Sequence, residues 1–534
     1  MATESPSLQT RNDHYTDIYR TYSQATDTTA NDIDLRKYPL SWKTVKIYMS
    51  ASIGGLLFGY DGGAIAGVLL AIRPQDLQLE DLKDYQKGLI TGTAGFGAFC
   101  GSICAFPLAD RLGRKRTIGL CSVLFTLAAI IMALAKSLSV LVAGRLILGT
   151  AVGIAAQCVP IYLSEVSPSS ARGTILALNT LAITSGQLLA CTLSWFIINQ
   201  PYAWRLLFAL GGLPAVMLLI LLKSLPESPR WLLLTGSPQE ARESLCVIYP
   251  KASDVQIINK MVKIMRNMSI IHREGENSPL LSRERPAHTI LGNSAEAENE
   301  VMQRANITTD LQWPQSEIAT KMDSRTRRAL FVGCILMFFQ QATGFNAFVY
   351  YSPLIFSEIG VDDSLLPAVA VAFINFVFTG VAMRVVDRSG RRSVLLTTVW
   401  IMTLGLIVCS VGFQYKVSAI FLIALLVYVA AYAVGMGTVP WMSVEFLPLS
   451  HRSFGASCIT CTNWLTNSAI SFSFLPLVKE FGNEFTMTLF ALMTALDWFF
   501  IYFWYPEVKG LSLEEIGQVF EDGIDVHYVY RKYH

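Results

Sequence analysis

The residues with the most chemistry to offer stand where polar chemistry is most expensive. Within an apolar run from about Leu330 to Phe356 lies FFQQATGFNAFVYYSP, Phe338 to Pro353, with Gln340 and Gln341 adjacent, Asn346 following, and Tyr350 and Tyr351 closing the set. The run is long enough to cross a hydrocarbon layer of ~30 Å at ~1.5 Å per residue. An unpaired amide in that layer costs several kcal/mol, so these side chains must face protein or a wet cavity. Amides and phenols both donate and accept, which suits bonding between helices and equally suits an uncharged polar guest. Gly344 and Pro353 allow the helix to bend or break near its middle. Asp61 and Arg145 are ionisable residues inside two other apolar runs, at similar depth when counted from the same end, and such residues are functional candidates by default.

Composition places these residues in a membrane protein. The chain is 52% hydrophobic and 15% charged, with a mean hydropathy of +0.43, whereas a soluble domain carries about 25% charged residues. A net charge of +2 is uninformative. No nucleic-acid motif and no Walker A loop is present, and six scattered histidines and ten cysteines make no metal or disulfide framework. Cys458 and Cys461 form a C-x-x-C without a matching pair and read as small residues packing between helices. Neither an enzyme active site nor a cofactor site is expected.

The elements that must position the polar residues form a regular series. A polar segment, residues 1–44, reads as a disordered tail without a cleavable signal. Apolar spans follow at about 46–70, 87–109, 117–135, 138–163, 174–198 and 203–225, and a second six at about 329–357, 364–387, 393–414, 418–447, 452–478 and 484–505. The chain therefore divides into a tail (1–44), a six-helix bundle (45–225), a central loop (226–328), a second six-helix bundle (329–505) and a C-terminal tail (506–534). Arg111, Arg114, Lys115 and Arg116 crowd the loop after span two, and Arg388, Arg391 and Arg392 the loop after span eight, whereas the loops after spans three and nine hold only Lys136 and Lys416. Positive loops lie inside, which predicts cytoplasmic termini and a cytoplasmic central loop. The two N-x-S/T sequons, at Asn267 and Asn306, then fall where they cannot be glycosylated.

The two halves repeat one another. Asp110-Arg111-Leu112-Gly113-Arg114-Lys115 returns as Asp387-Arg388-Ser389-Gly390-Arg391-Arg392. Pro160, Glu165, Pro168 and Arg172 return at identical spacing as Pro440, Glu445, Pro448 and Arg452. Each half thus sets acids and arginines at the inner ends of matching helices, where ion pairs and helix-end contacts can hold one conformation and separate in another. These are candidate cytoplasmic gate residues.

In these motifs the chain resembles the sugar porter family of the major facilitator superfamily, of fungal type, from about Trp42 to Ile516. The residues carrying the resemblance are GGLLFGYD (Gly54 to Asp61), DRLGRK, GRLILGTAVG (Gly144 to Gly153), PIYLSEVSPSSARG (Pro160 to Gly173), PESPRWL (Pro226 to Leu232), QQATGFNAFVYY, DRSGRR and PEVKGLSLEEI (Pro506 to Ile516). It implies an all-α integral membrane protein of twelve transmembrane helices in two pseudo-symmetric halves, the major facilitator fold, around one site opened alternately to each face. It further implies that Gln187, Gln340, Gln341, Asn346 and Asn375 serve sugar hydroxyls, with Trp441, Asn463 and Trp464 completing the substrate-binding set. The chemistry agrees: amides meet hydroxyls that both donate and accept, and indoles meet C–H faces. In the family's proton symporters, Asp61 matches the carboxylate that takes up the proton and Arg145 the arginine that holds it ionised until the two separate. Some fungal-type facilitators keep the aspartate without a proton, so uniport stays open beside symport, as does a non-transporting sensor. The expected partners are a monosaccharide or polyol, a proton and the lipid bilayer.

Four features depart from the pattern. Met436 and Thr438 stand where prolines are usual before Trp441, which should change how span ten bends, and Ala433 replaces a polar sugar-binding residue. Asp497 lies near the middle of span twelve and is expected to line a wet crevice. The central loop is enlarged, with amphipathic helices expected near Gln239 to Val247 and Val255 to Met268. It also carries Glu276-Asn277-Ser278-Pro279-Leu280-Leu281, which resembles the acidic dileucine signal read by clathrin-adaptor complexes, with Glu276, Leu280 and Leu281 as its residues. That points to a eukaryotic vacuolar or other endomembrane, with the plasma membrane as the alternative.

Overall fold

The computed structural model describes residues 41–168, 171–275, 322–448, 451–509, 511, 513–521 and 523–529, which are helical with no strand among them. In the first half α1 (Trp42–Ala71), α2 (Asp84–Leu112), α3 (Arg114–Ala133), α4 (Leu138–Val166), α5 (Arg172–Ile197) and α6 (Ala203–Leu221) follow one another. Three helices come next, α7 (Pro229–Leu234), α8 (Pro238–Ile248) and α9 (Asp254–Gly275). The second half holds α10 (Ser324–Ala342), α11 (Phe345–Glu358), α12 (Leu365–Ser389), α13 (Arg391–Gln414), α14 (Ser418–Val434), a 3₁₀ segment Pro440–Phe446, α15 (Arg452–Trp504) and the short α16 (Leu513–Gln518).

Ten of the described helical stretches are long and apolar enough to cross a membrane, with α10 and α11 together as one of them. α15 turns back at Gly482, where φ is +85°, and so crosses twice. The shorter α14 crosses with the 3₁₀ segment that continues it. The result is the twelve-helix architecture in two halves. The two amphipathic stretches of the central loop are α8 and α9, and α7 covers part of PESPRWL.

Matching glycines make the turn after the second span of each half. Gly113 (φ +90°) separates α2 from α3, and Gly390 (φ +89°) separates α12 from α13, a backbone conformation that a side chain strains. A carboxylate is lodged against each: Glu227 accepts from the amides of Arg114 (2.9 Å) and Lys115 (3.0 Å), and Glu507 from those of Arg391 (3.1 Å) and Arg392 (3.0 Å). These acids take up the free N–H groups and favourable dipole end of the following helix.

Two helices are broken where the site lies. Gly344, at φ +87°, ends α10 and starts α11, and the freed carbonyl of Thr343 accepts from the Tyr428 hydroxyl at 3.0 Å. Span ten breaks after Val434 although prolines are missing there. Gly435 leaves the helical region (φ −100°, ψ −84°), the Gln340 amide donates to the Met436 carbonyl at 2.6 Å, and the Thr438 hydroxyl to Ala433 at 3.1 Å. A break in a membrane helix persists when side chains satisfy the released carbonyls, and here they substitute for proline.

The halves meet through α2 against the first arm of α15, α5 against α12, and α1 against α11. Gly88 and Gly92 lie against Phe472, and Gly95 against Asn467 and Ser468, so small residues let the two backbones approach. The C-terminal segment docks on the second half: Phe520 is fully buried beside Phe446, and Arg328 donates to the Phe520 carbonyl at 3.0 Å.

Candidate functional site

The broken ends of α10 and α11 bring three amides within reach of one another. Gln341 Oε1, from the last turn of α10, accepts from Asn346 at 2.7 Å across the break and from Asn467 of α15 at 3.0 Å. One residue earlier, Gln340 holds the Met436 carbonyl with its amide nitrogen and accepts from Asn463 at 2.6 Å with its oxygen. From the other side Asn375 of α12 donates to Gln187 of α5 at 2.8 Å, a bond between the halves. The six expected amides thus form three linked pairs, all but Asn346 buried. Uncharged donors and acceptors dominate the site, so a charged guest has no counter-ion among them.

Aromatic residues close it. Trp464 is 4% exposed and meets Phe58 of the first half edge-on, at 5.2 Å between ring centres. Its indole N–H has no protein partner among the described residues, and an unpaired buried donor costs about 1–3 kcal/mol that a guest hydroxyl would relieve. Phe345 stacks flat on Tyr432 at 3.8 Å. Trp441, on the 3₁₀ segment, is 37% exposed and bonds to none of the amides.

At the end away from the arginine-rich loops the halves are latched together. Tyr351 meets the Thr91 hydroxyl at 2.5 Å, Ser468 donates to the Gly92 carbonyl at 2.8 Å, and the Trp195 indole donates to Asp363 at 2.8 Å.

Asp61 and Arg145 form a direct ion pair between α1 and α4, and Arg145 Nε donates to the Ile90 carbonyl of α2 at 2.9 Å. Arg145 is 2% exposed, a burial tolerable for a charge only with such partners. A small apolar cavity lined by Leu57, Phe125, Leu148 and Phe208 reaches Asp61.

Of the gate candidates, Asp110, Arg114 and Glu165 come together in the first half. Arg114 bridges Asp110 and Glu165, each at 3.1 Å, and Ser228 donates to Glu165 at 2.6 Å, which ties α2, α3 and α4 to the start of α7. Arg172 donates to the Ser164 carbonyl at 3.2 Å, and Arg111 is exposed. In the second half Arg388 is exposed and its carbonyl accepts from Lys509 at 2.5 Å. Arg391 is anchored through its amide to Glu507. Arg452 donates to the Leu447 carbonyl at 3.3 Å. The side chain of Asp387, and Glu276, Leu280 and Leu281, lie outside the described residues.

Two sets of residues escaped the sequence reading. Asn467 stands at the same spacing from Arg452 as Gln187 from Arg172, so the repeat already pointed to it. Glu227 and Glu507 each follow a proline just after the sixth span of their half, a third repeated feature. Asp497 differs from expectation: it is fully buried, and neither carboxyl oxygen has a partner among the described residues.

A family model described as "Sugar (and other) transporter" matches residues 47–520. A probable metabolite transport protein of Saccharomyces cerevisiae is 47% identical, over 98% of this chain and 99% of its own. Myo-inositol transporter 2 of Schizosaccharomyces pombe is 33% identical, over 89% of this chain and 81% of its own. The proton:xylose symporter XylE, solved with bound 6-bromo-6-deoxy-D-glucose, has a similar structure with a TM-score of 0.69 at 26% identity, over 90% of this chain and 99% of that chain.

Proposed function

The chain belongs to the sugar and other transporter family, and from that membership we propose that it carries a monosaccharide or cyclic polyol by alternating access, with a proton moving alongside. It is a multi-pass membrane transporter and not an enzyme. One observation carries the substrate class: neutral amides pair with one another in the interior of the bundle, and one such pair, Asn375 with Gln187 at 2.8 Å, joins the two halves. Those amides exchange mutual bonds for bonds to ring hydroxyls when a guest enters, so binding costs little unsatisfied polarity. Gln187, Gln340, Gln341, Asn346, Asn375, Asn463 and Trp464 are the substrate ligands in this reading, and Trp441 covers the guest from the broken span ten. The fungal relatives named for myo-inositol favour a cyclic polyol over a hexose, as does Ala433 in place of a polar sugar ligand.

Asp61 takes up the proton, and Arg145 is the counter-charge it leaves. Uptake by purified protein in proteoliposomes, across labelled hexoses, pentoses, myo-inositol and other polyols, tests the substrate class; the expected result is saturable uptake of a cyclic polyol. Asp61→Asn is expected to abolish accumulation driven by a pH gradient, and accumulation at the wild-type level would leave facilitated diffusion as the mechanism.

The termini and central loop are assigned to the cytoplasm from the placement of Lys and Arg. The clusters around Arg114 and, in the second half, around Arg391, Glu445 and Arg452 act as the cytoplasmic gate. Glu276, Leu280 and Leu281 direct the protein to a vacuolar or other endomembrane through a clathrin-adaptor complex. Leu280→Ala with Leu281→Ala is expected to relocate a tagged protein to the plasma membrane, and an unchanged location would remove the signal.

A further inference from the structure

One acid has no part in the site described so far. Asp497 is fully buried in the second arm of α15, and neither carboxyl oxygen has a partner among the described residues. Phe490, Thr494, Asp497 and Ile501 of that arm form one buried stripe at helical spacing, which Tyr505 continues just past its end. Phe490 packs against Gly344, the break in span seven, and Tyr505 meets Phe446 of the 3₁₀ segment at 5.5 Å between ring centres. On one side of the stripe Phe500 meets Phe339 of α10 at 5.9 Å; on the other the Trp498 indole donates to the Leu396 carbonyl of α13 at 2.9 Å. Two residues further along α13, Thr398 lies against Gly435, where span ten breaks. Asp497 is thus flanked by α10 and α13 and stands beside both broken spans.

No counter-charge bonds it. α10 carries Arg325, Arg327 and Arg328 near its start, where Arg328 holds the Phe520 carbonyl. α13 carries Arg391 and Arg392 at its start and Cys409 towards its end; Arg392 donates to the Tyr502 carbonyl at 2.9 Å, and Cys409 points at the Phe421 carbonyl. The 3₁₀ segment carries Glu445. α11 starts level with Phe490 and runs away from Asp497, taking Tyr350, Tyr351 and Glu358 with it, the last bonded to Asn483 at 2.8 Å. On α15 itself Glu480 and Glu484 flank the bend at Gly482, and Tyr502 and Tyr505 lie at the other end.

An ionised carboxylate without a partner is far costlier to bury than the neutral acid, so a carboxyl placed in this way takes a proton and gives up its charge. We propose that Asp497 is a second proton-binding site, occupied in this conformation and emptied when the broken spans move away from span twelve. A metal cation would need several oxygen ligands together, and no group of three or more acidic, histidine or cysteine side chains suited to a metal stands among the described residues. A proton needs one oxygen. Broken helices are where a half of this kind can flex, and a shift of either one opens the stripe to water, in which a carboxyl ionises at neutral pH. Asp61 has Arg145 to hold it, so the two acids answer different triggers: Asp61 its separation from the arginine, Asp497 its wetting. The site itself stands on burial and packing, and its part in transport rests on the proton-coupled reading given above.

Thermal unfolding of the full-length protein in detergent tests the bound proton. The unfolded chain releases the Asp497 proton above about pH 4 and the folded chain keeps it, so the wild type loses stability relative to Asp497→Asn as pH rises. The midpoint of Asp497→Asn should gain on that of the wild type by about 3 °C or more between about pH 5 and pH 8. Asp497→Leu, which leaves no polar atom behind, should gain in the same way and serves if the buried amide prevents folding. A merely structural aspartate would give a gap that pH does not change. Release is tested by the proton-to-substrate stoichiometry, read from the pH gradient that balances an opposing myo-inositol gradient in proteoliposomes. Two protons per substrate are expected in the wild type and one in Asp497→Asn. A gap that is constant with pH, or a stoichiometry that Asp497→Asn leaves unchanged, overturns the proposal. Accumulation that survives Asp61→Asn but not Asp497→Asn would support the site and overturn the role given to Asp61. Wild-type uptake that no pH gradient drives would overturn the coupling role of both acids, and the unfolding gap would still decide whether Asp497 holds a proton.

Discussion

Asp61 and Asn346 occupy matching places in the two halves, each two residues past a glycine and one past an aromatic ring, yet they meet opposite surroundings. Asp61 lies on an unbroken helix and pairs with Arg145. Asn346 lies just past a break and bonds Gln341. The glycines differ in the same way. Gly59 stays helical and sits directly against the Ile183 carbonyl of α5, so it serves close packing; Gly344 adopts φ +87° and serves the break. One repeated pattern has been put to two physical uses. The first half holds a charge that must be paired, and the second holds neutral amides freed by a broken backbone. In the reading proposed above, the charged pair serves the proton and the neutral amides serve the guest.

The sharpest way to break this comparison is to give the first half what the second already has. In the register set by Pro160 and Pro440, Leu425 stands opposite Arg145. Arg145→Leu leaves the partly buried Asp61 carboxylate unpaired, at a cost of up to about 3 kcal/mol, and uptake in proteoliposomes is expected to fall by more than about a hundredfold. Uptake near wild type would show that the halves do not differ in this way.

A smaller effect separates the amides. Gln341→Ala removes the acceptor of two donors and Gln187→Ala that of one. Substrate affinity should fall by about 2 kcal/mol, roughly thirtyfold, in the first and about 1 kcal/mol, roughly fivefold, in the second. Equal losses by equilibrium binding would mean that the halves share the guest evenly.

The smallest contrast is at the first helix of each half. Asp323 caps α10 by accepting from the Thr326 amide at 2.9 Å, whereas Ser41 makes no side-chain cap on α1. Asp323→Ala should lower stability by about 1 kcal/mol and Ser41→Ala by little. Burial pushes the Asp323 carboxyl up, but the bond from the Thr326 amide and the nearby positive charge of Arg325 help to outweigh it and hold the acid below its ordinary value. A carboxyl depressed on folding stabilises above its unfolded range and loses that contribution as pH falls through the folded one. The gap between wild type and Asp323→Ala in thermal unfolding should therefore close below about pH 4.

Much of this was legible residue by residue. Span positions follow from apolar runs because burial in lipid depends on local composition. The repeat assigns matching roles to Arg114 and Arg391 without coordinates, and the high cost of bare amides in hydrocarbon singles out Gln340, Gln341 and Asn346. Carried further, the same register reaches Asn467. Asp497 was not legible: its sequence position is mid-span, but its complete burial depends on which face of α15 turns inward.

The sequence by itself determined the membrane class, the duplicated halves and the inventory of neutral amides, since each rests on hydrophobicity and spacing along one chain. Packing of the helices settled which amide bonds which, that Tyr351 latches the halves while the Tyr350 ring lies beside Gly62, and that side chains replace the missing prolines at the break in span ten. Such pairings act over a few ångströms between residues more than a hundred positions apart, as Asn375 and Gln187 are. No local pattern fixes them until the helices pack.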